Sequence, residues 1–380
     1  LVNISNAIVM AETNLGYINM EIDLENRISR INVGQPESIE YLKTSIDVNR
    51  LKKPPKSWYF LGSEKDIKKT PTPFSPWGKA LIAYKDNENI VVQHRHCIHM
   101  NTDLMKGNIV NGSISCPMHA WKFNAQGKCT EIPGGNHNDC KMRLPTFPTH
   151  VIGGHVFVYK QTVKRGSNST IPTFPTFNDI DWDEFELGKG IDFLSDSPWY
   201  LITANGFDIC HFEFVHGRVP LAKSEINFHS NNHCSIEHNY KNISQTWFDK
   251  IVRYIYGEKM SLNYNVFDGN MILSRTGMNG KSNYMCANVQ PIDDVRSRIT
   301  IIPLTPKSIA IQQNPILKYI GNLCRRVIIR QFFLAELRSI KSVRLLPLNL
   351  MESDRVVTQY FHWLSTAMHT SPTKEETHEK

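Results

Sequence analysis

Cys97-Ile98-His99 and, after sixteen intervening residues, Cys116-Pro117-Met118-His119 present two cysteines and two histidines in matched pairs. One pair is spaced C-x-H and the other C-x-x-H, so each suits the tip of a tight loop offering one thiolate and one imidazole. Four such donors could hold a tetrahedral zinc. Structural zinc sites, however, usually pair Cys with Cys and His with His. The mixed order favours a [2Fe–2S] centre in which one iron takes both thiolates and the other takes both imidazoles. His94 and His96 are expected to pack beside the first loop rather than to ligate.

The 380 residues suggest about two domains. The net charge of +7 is spread along the chain rather than gathered into runs. Nucleic-acid binding is therefore not expected, while an acidic electron-transfer partner would suit the bias. Of the eight cysteines, Cys129, Cys140, Cys210, Cys234, Cys286 and Cys324 show no paired spacing. Free thiols imply a reducing, cytoplasmic setting, in which the sequons at Asn168 and Asn242 are chance matches. No apolar run is long enough to span a bilayer, and no n-region plus h-region pattern follows Leu1.

Along the chain, residues 1–55 read as an N-terminal extension that wraps the next domain or a neighbouring subunit. Residues 56–165 read as an all-β module. Ser57–Leu61, Ala80–Tyr84, Ile90–Gln93 and Trp121–Phe123 are expected strands, and Val151–Lys160 an expected strand pair. Residues 166–195 form a linker, with Pro, Ser, Thr and Asn crowding 163–180. Residues 196–370 form a second domain: Trp199–Thr203 strand-like, Asn205–His216 helical, and 225–315 a large antiparallel sheet. A helix is expected over Pro315–Lys341, with Ile320, Leu323, Val327, Phe333, Leu334, Leu337 and Ile340 near one face. Its arginines would also suit a membrane surface, but the expected place for the helix is across its own sheet, without membrane association. Asp354–Met368 makes the last helix, and residues 371–380 a flexible tail.

Within the first of these helices stands Asp208-Ile209-Cys210-His211-Phe212-Glu213-Phe214-Val215-His216. His211 and His216 can share one metal if the helix end is irregular, and Asp208 lies one turn before His211, where it can accept from an imidazole N–H. Two histidines and one carboxylate are the facial set of non-haem Fe(II) oxygenases, which leaves positions open for O₂. The third ligand must come from far away in sequence. Glu336 and Asp354 are the candidates, with Glu352 a weaker one, and an N-cap would account for Asp354 equally well. Asn205 either lines the iron pocket or satisfies backbone groups.

With both motifs in view, residues 56 to 365 resemble a Rieske non-haem iron oxygenase, specifically the terminal oxygenase (α) component. The resemblance rests on Cys97/His99 and Cys116/His119, on Pro117 and Trp121 beside the second loop, and on Asp208/His211/His216. Gly127-Lys128-Cys129-Thr130-Glu131-Ile132-Pro133 and the order Gln331, Glu336, Pro347, Asp354, Trp363 are similar to the branch holding 3-ketosteroid 9α-hydroxylase, cholesterol 7-desaturases and aminopyrrolnitrin oxygenase. That branch implies Glu336 as the ligand, although Glu stands where Asp is usual. In other branches the ligand Asp matches Glu352-Ser353-Asp354-Arg355, which keeps Asp354 open.

The resemblance implies an α+β architecture: an all-β Rieske domain followed by a helix-grip (START-like) catalytic domain, assembled as a head-to-tail homotrimer. It also implies that Asp208 bridges a cluster histidine, His119, to His211. A separate reductase of flavin or ferredoxin type would pass electrons from NAD(P)H to the cluster and on to a mononuclear Fe(II). The expected reaction is O₂-dependent hydroxylation of a hydrophobic ring-containing small molecule. N-oxygenation, oxidative demethylation or desaturation would use the same machinery. A Rieske electron carrier without catalysis and a zinc-stabilised structural protein are the competing classes.

Overall fold

The structure, a computed structural model, describes residues 38–136, 141–162, 173–176, 181–246, 249–250, 253–254, 257–308 and 315–366. Residues 1–37, Cys140, Asn168, most of the 163–180 stretch and the 371–380 tail therefore lie outside the described residues. Two short helices open the described chain, α1 (Ile39–Thr44) capped by Ser38 and α2 (Val48–Lys52) capped by Asp47. Both pack on the last helix, α6 (Arg355–Thr366), where Ser45 Oγ meets His362 Nδ1 at 2.7 Å.

Three small antiparallel sheets follow. β1 (Trp58–Ser63), β10 (Thr149–Ile152) and β11 (His155–Tyr159) make one. β2 (Thr72–Phe74), β3 (Leu81–Asp86), β4 (Asn89–His94) and β9 (Thr146–Phe147) make the second. β5 (Asn108–Val110), β6 (Ser113–Ser115), β7 (Lys122–Phe123) and β8 (Cys129–Glu131) make the third. β3 shows how alternation builds the module. Leu81 and Ala83 enter one core with Tyr59, Val92 and Val158, while Ile82 and Tyr84 enter another that contains Cys97, Leu104, Ile114 and Cys116. A strand buried on both faces in this way anchors the cysteine loops to the rest of the module.

The second half is one nine-stranded antiparallel sheet: β12 (Phe185–Leu187), β13 (Ile191–Ser195), β14 (Arg218–Pro220), β15 (Ile226–Ser230), β16 (His233–Asn242), β17 (Lys259–Phe267), β18 (Met271–Met278), β19 (Lys281–Pro291) and β20 (Ser297–Pro306). With its helices it bears out the α+β expectation. Asn242 is buried in β16 and bonded to Asp249 and Ser244, which removes it as a glycosylation acceptor.

Three expectations need correction. Trp199–Ala204 is a helix, α3, and not a strand; all six residues are buried, and a short apolar run buried all round has no periodicity to read. The 205–216 helix is broken. A 3₁₀ turn at Asn205–Phe207 ends at Asp208, which caps α4 (Ile209–Phe214). The long helix α5 (Pro315–Ile340) has the expected extent, and Phe333 and Ile340 pack inward, Phe333 5.8 Å from Phe193 of β13. Ile320, Leu323 and Val327, however, stay about half exposed rather than lying on the sheet.

The β module and the large sheet share one core, in which Trp58, Phe157 and Tyr159 pack with Trp182, Phe185, Met271, Leu273 and Ile302. β1 is an edge strand of its own sheet, and amide side chains of the large sheet take the place of a neighbour. Asn288 Nδ2 donates to Trp58 O and its Oδ1 accepts from Phe60 N, each at 2.9 Å. Asn270 Nδ2 also reaches Trp58 O, and Gln290 Nε2 reaches Phe60 O. Asn288→Ala would strip the Phe60 N–H of its acceptor and leave Trp58 O with Asn270 alone, at about 1–3 kcal/mol. Urea unfolding should show that loss as a lower midpoint with an unchanged slope.

Candidate metal centres

The two cysteine loops are built alike. Cys97 N donates to Thr102 O and Asn101 N to Cys97 O; in register with these, Cys116 N donates to Trp121 O and Ala120 N to Cys116 O. The fourth residue after each cysteine, Asn101 or Ala120, has φ near +55°. Ala120 holds this left-handed conformation against a cost of roughly 1–2 kcal/mol, so the loop is imposed by its surroundings. At the base of the first loop, Arg95 pairs with Asp103 (Nε to Oδ1, 2.9 Å), and Asp103 caps the turn at Leu104–Lys106.

Both cysteines are buried and both histidines exposed. Burial pushes the Cys97 thiol up to about 11, and Cys116 beside it adds to the push. Two thiolates there need a cationic neighbour, which iron supplies. The His99 and His119 rings lie 4.9 Å apart, and Trp121 stacks flat on His99 at 4.3 Å and 6°. Thus the thiols converge at one end and the imidazoles at the other, as a two-iron cluster with unlike ends requires. A single tetrahedral metal would instead need all four donors within about 4 Å of one another, and they do not converge in this way. His94 and His96 face each other beside this loop with rings 5.5 Å apart.

Among the described residues, His211, His216 and Glu336 are the set whose donor atoms come within 4.8 Å of one another. On a regular helix His211 and His216 would point about 140° apart. α4 ends before that can happen: Val215 N still bonds His211 O, but Gly217 turns at φ +59° with its N–H on Glu213 O. A Cβ at Gly217 would stand 2.9 Å from the Ser244 backbone, so glycine is required. His216 Nε2 lies 3.1 Å from His211 Nε2. Glu336, from α5, brings Oε1 within 3.1 Å of His211 Nε2 and Oε2 within 2.5 Å of His216 Nε2.

Donors about 2.1 Å from one metal and at right angles are about 3 Å apart. The observed separations therefore fit three adjacent corners of one coordination sphere. Burial works against the Glu336 charge, but the two imidazoles outweigh it and hold the carboxyl down at about 2. Its Oε2 accepts no aligned hydrogen bond and is open to a cation.

Asn205 Nδ2 donates to Glu336 Oε1, so Asn205 faces the centre rather than the backbone. Asp208 Oδ1 accepts from the His211 backbone N–H at 3.0 Å; within this chain it caps α4, where an imidazole contact was expected. Burial raises the Asp208 carboxyl, and Asp354 and Glu336 add to the effect. Asp354 is not brought to the histidines. Its Oδ2 accepts Met351 N at 2.9 Å, the capping role. Glu352 is engaged by the Arg355 guanidinium.

Two supports were missed in the sequence. Phe332 stacks on His216 at 5.4 Å, and its place one turn before Glu336 on α5 was the available signal. His238 is wholly buried, with Nδ1 2.8 Å from Ser224 Oγ and Nε2 2.9 Å from Gly206 O. A carbonyl can only accept, so Nε2 carries the proton and Nδ1 accepts from Ser224. This bond holds the turn before Asp208. Gly206 is also fixed from its other side, where a Cβ would enter the Tyr264 ring at 2.4 Å.

The Rieske [2Fe–2S] domain family matches residues 57–148. This chain contains a Rieske domain. Sequence relatives extend beyond it. A probable 3-ketosteroid-9-alpha-monooxygenase oxygenase component from Rhodococcus rhodochrous is 27% identical over 202 residues, 52% of this chain and 47% of the relative. Aminopyrrolnitrin oxygenase PrnD from Pseudomonas fluorescens is 29% identical over 180 residues, 45% and 48% of the two chains. The 5,5'-dehydrodivanillate O-demethylase oxygenase subunit of Sphingobium sp. is 30% identical over 172 residues, 42% and 38%. The chain thus spans about half the length of the curated relatives it matches. Its fold is that of Rieske terminal oxygenases. The terminal oxygenase of carbazole 1,9a-dioxygenase from Novosphingobium sp. KA1 superposes with a TM-score of 0.62 at 15% identity, over 88% of this chain and 99% of that one. Dicamba monooxygenase gives 0.54 at 13% identity, over 84% and 97%.

Burial lowers His238 from 6.5 to about 4, against the bond to Gly206. The unfolded chain takes up this proton more readily than the folded one, so the contribution of His238 is full above pH 6.5 and is lost as pH falls towards 4. That difference is worth up to about 3 kcal/mol. His238→Gln keeps a donor for Gly206 and does not titrate. Urea unfolding at pH 7 and pH 4.5 should therefore show a smaller acid-dependent loss in the variant than in the parent chain.

Proposed function

We propose that this chain is the terminal oxygenase of a multicomponent system and hydroxylates a hydrophobic, ring-containing small molecule. The observation that carries the reading is the His211/His216/Glu336 set in a chain that also bears a Rieske domain. When bound, the cluster would supply single electrons and the mononuclear iron an open site for O₂ chemistry. The overall balance is one O₂, two electrons and two protons per C–H converted to C–OH plus water.

The chain's own residues do the positioning. Cys97, His99, Cys116 and His119 would hold the cluster, and His211, His216 and Glu336 the iron. Asn205 orients the Glu336 carboxylate, Asp208 fixes the start of α4, and Phe332 walls the metal on one side with an apolar ring. That aromatic wall, and relatives named for a ketosteroid, for aminopyrrolnitrin and for a divanillate, support a ring-containing substrate. The names also span hydroxylation, N-oxygenation and O-demethylation, so the class of step rests on the machinery rather than on one relative.

Electrons would come from NAD(P)H through a separate reductase, a reading supported by relatives named as oxygenase components. The exposed cluster histidines, flanked by exposed Met100 and Met118, suit docking onto the Asp208 region of a neighbouring subunit in a homotrimer. There Asp208 would bridge the neighbour's cluster histidine to His211. Cys97, Cys116, Cys210, Cys234, Cys286 and Cys324 carry free thiols, which supports a reducing, cytoplasmic setting. His211→Ala should abolish turnover yet keep the red-brown cluster spectrum; persisting turnover would refute the mononuclear-iron step. Glu336→Ala should lose the mononuclear iron, whereas Asp354→Ala should retain it, as read by iron content per cluster.

A further inference from the structure

Helix α5 is apolar on two sides. Phe333 and Ile340 face inward, but Tyr319, Ile320, Leu323 and Val327 fall within one arc of about 100° on the outside. These four are between 50% (Ile320) and 71% (Tyr319) exposed. Tyr319 to Val327 spans about 12 Å, a contiguous apolar strip of a kind that soluble surfaces seldom leave open.

We propose that this strip docks the protein on an anionic lipid surface. Charge decides between possible occupants. Of the helix's five cations, Lys318 pairs with Glu186, and Arg325 and Arg326 reach Thr305 Oγ1 and Lys189 O, whereas Arg330 and Arg338 are exposed; its single acid, Glu336, is buried at the metal centre. The outer side of α5 is therefore cationic as well as apolar, and Arg330 follows Val327 on the same arc. After the helix, Leu346 and Leu348 are again exposed, with Arg344 beside them. Apolar side chains set among Lys and Arg are what an interfacial helix offers to acyl chains and lipid phosphates. A symmetric contact with a second copy would instead set the same cations against each other. Among the described residues no helix is long and apolar enough to cross a membrane, so the strip would lie in the interface plane. The proposal stands independently of the oxygenase reading.

The test is co-sedimentation of the full chain with vesicles of phosphatidylcholine, with and without phosphatidylserine. The parent chain should pellet with the phosphatidylserine vesicles at least ten-fold more than with the neutral ones. Leu323→Glu with Val327→Glu should abolish pelleting while the visible spectrum and iron content stay those of the parent. Arg330→Glu, which leaves the apolar strip intact, should weaken binding to the anionic vesicles alone. A parent chain that stays in the supernatant with both vesicle types overturns the proposal. So does a double variant that pellets unchanged, or one that loses a subunit contact by light scattering while the parent binds no vesicles. Iron content and spectrum are read on the same samples, so a failure of the metal sites would be seen separately.

Discussion

A carboxylate buried against two imidazoles is the constraint on which the second half of this chain depends. Glu336 gives up water on entering the core, and such a charge is tolerated only beside compensating groups. His211 and His216 provide them, but only if α4 and the end of α5 keep their relative positions. Each local feature serves that requirement. Asp208 caps α4, Gly217 ends it directly after His216, Asn205 holds Glu336, and Ser197 Oγ donates to Ile340 O at the end of α5. Beneath them His238 and Tyr264 fix Gly206 from two sides.

The β module is held just as firmly, because its edge strand is completed by side chains of the large sheet. Asn288 presents a donor and an acceptor to β1 as a neighbouring strand would, and the Trp58 indole lies in a core common to both halves. The cysteine loops thus stand on a scaffold continuous with the sheet. Their histidines and methionines face outward.

Legibility in the sequence followed the range of the interactions. The cluster loops were readable because spacing alone carries them, and α5 because its apolar pattern runs for many turns. Trp199–Ala204 was misread because a short run buried all round has no period. The break at Asp208 was missed although Asp is a good cap, because apolar residues continue on either side of it. Glu336 could be chosen over Asp354 only by resemblance, since the decision lies in how α5 meets α4. His238 and Phe332 gave weaker signals, for their roles depend on one carbonyl and one ring brought in from elsewhere. The outer face of α5 errs in the other direction: its apolar pattern reads as core, and the structure leaves Ile320, Leu323 and Val327 about half exposed.

The central claim is that one chain holds a two-iron cluster and a separate mononuclear iron. The ratio of iron to acid-labile sulfide in the purified, fully loaded protein tests it most directly. A cluster plus a mononuclear iron gives about three irons for every two sulfides, in a red-brown protein. Equal iron and sulfide would contradict the mononuclear site, and a colourless protein holding zinc without sulfide would contradict both.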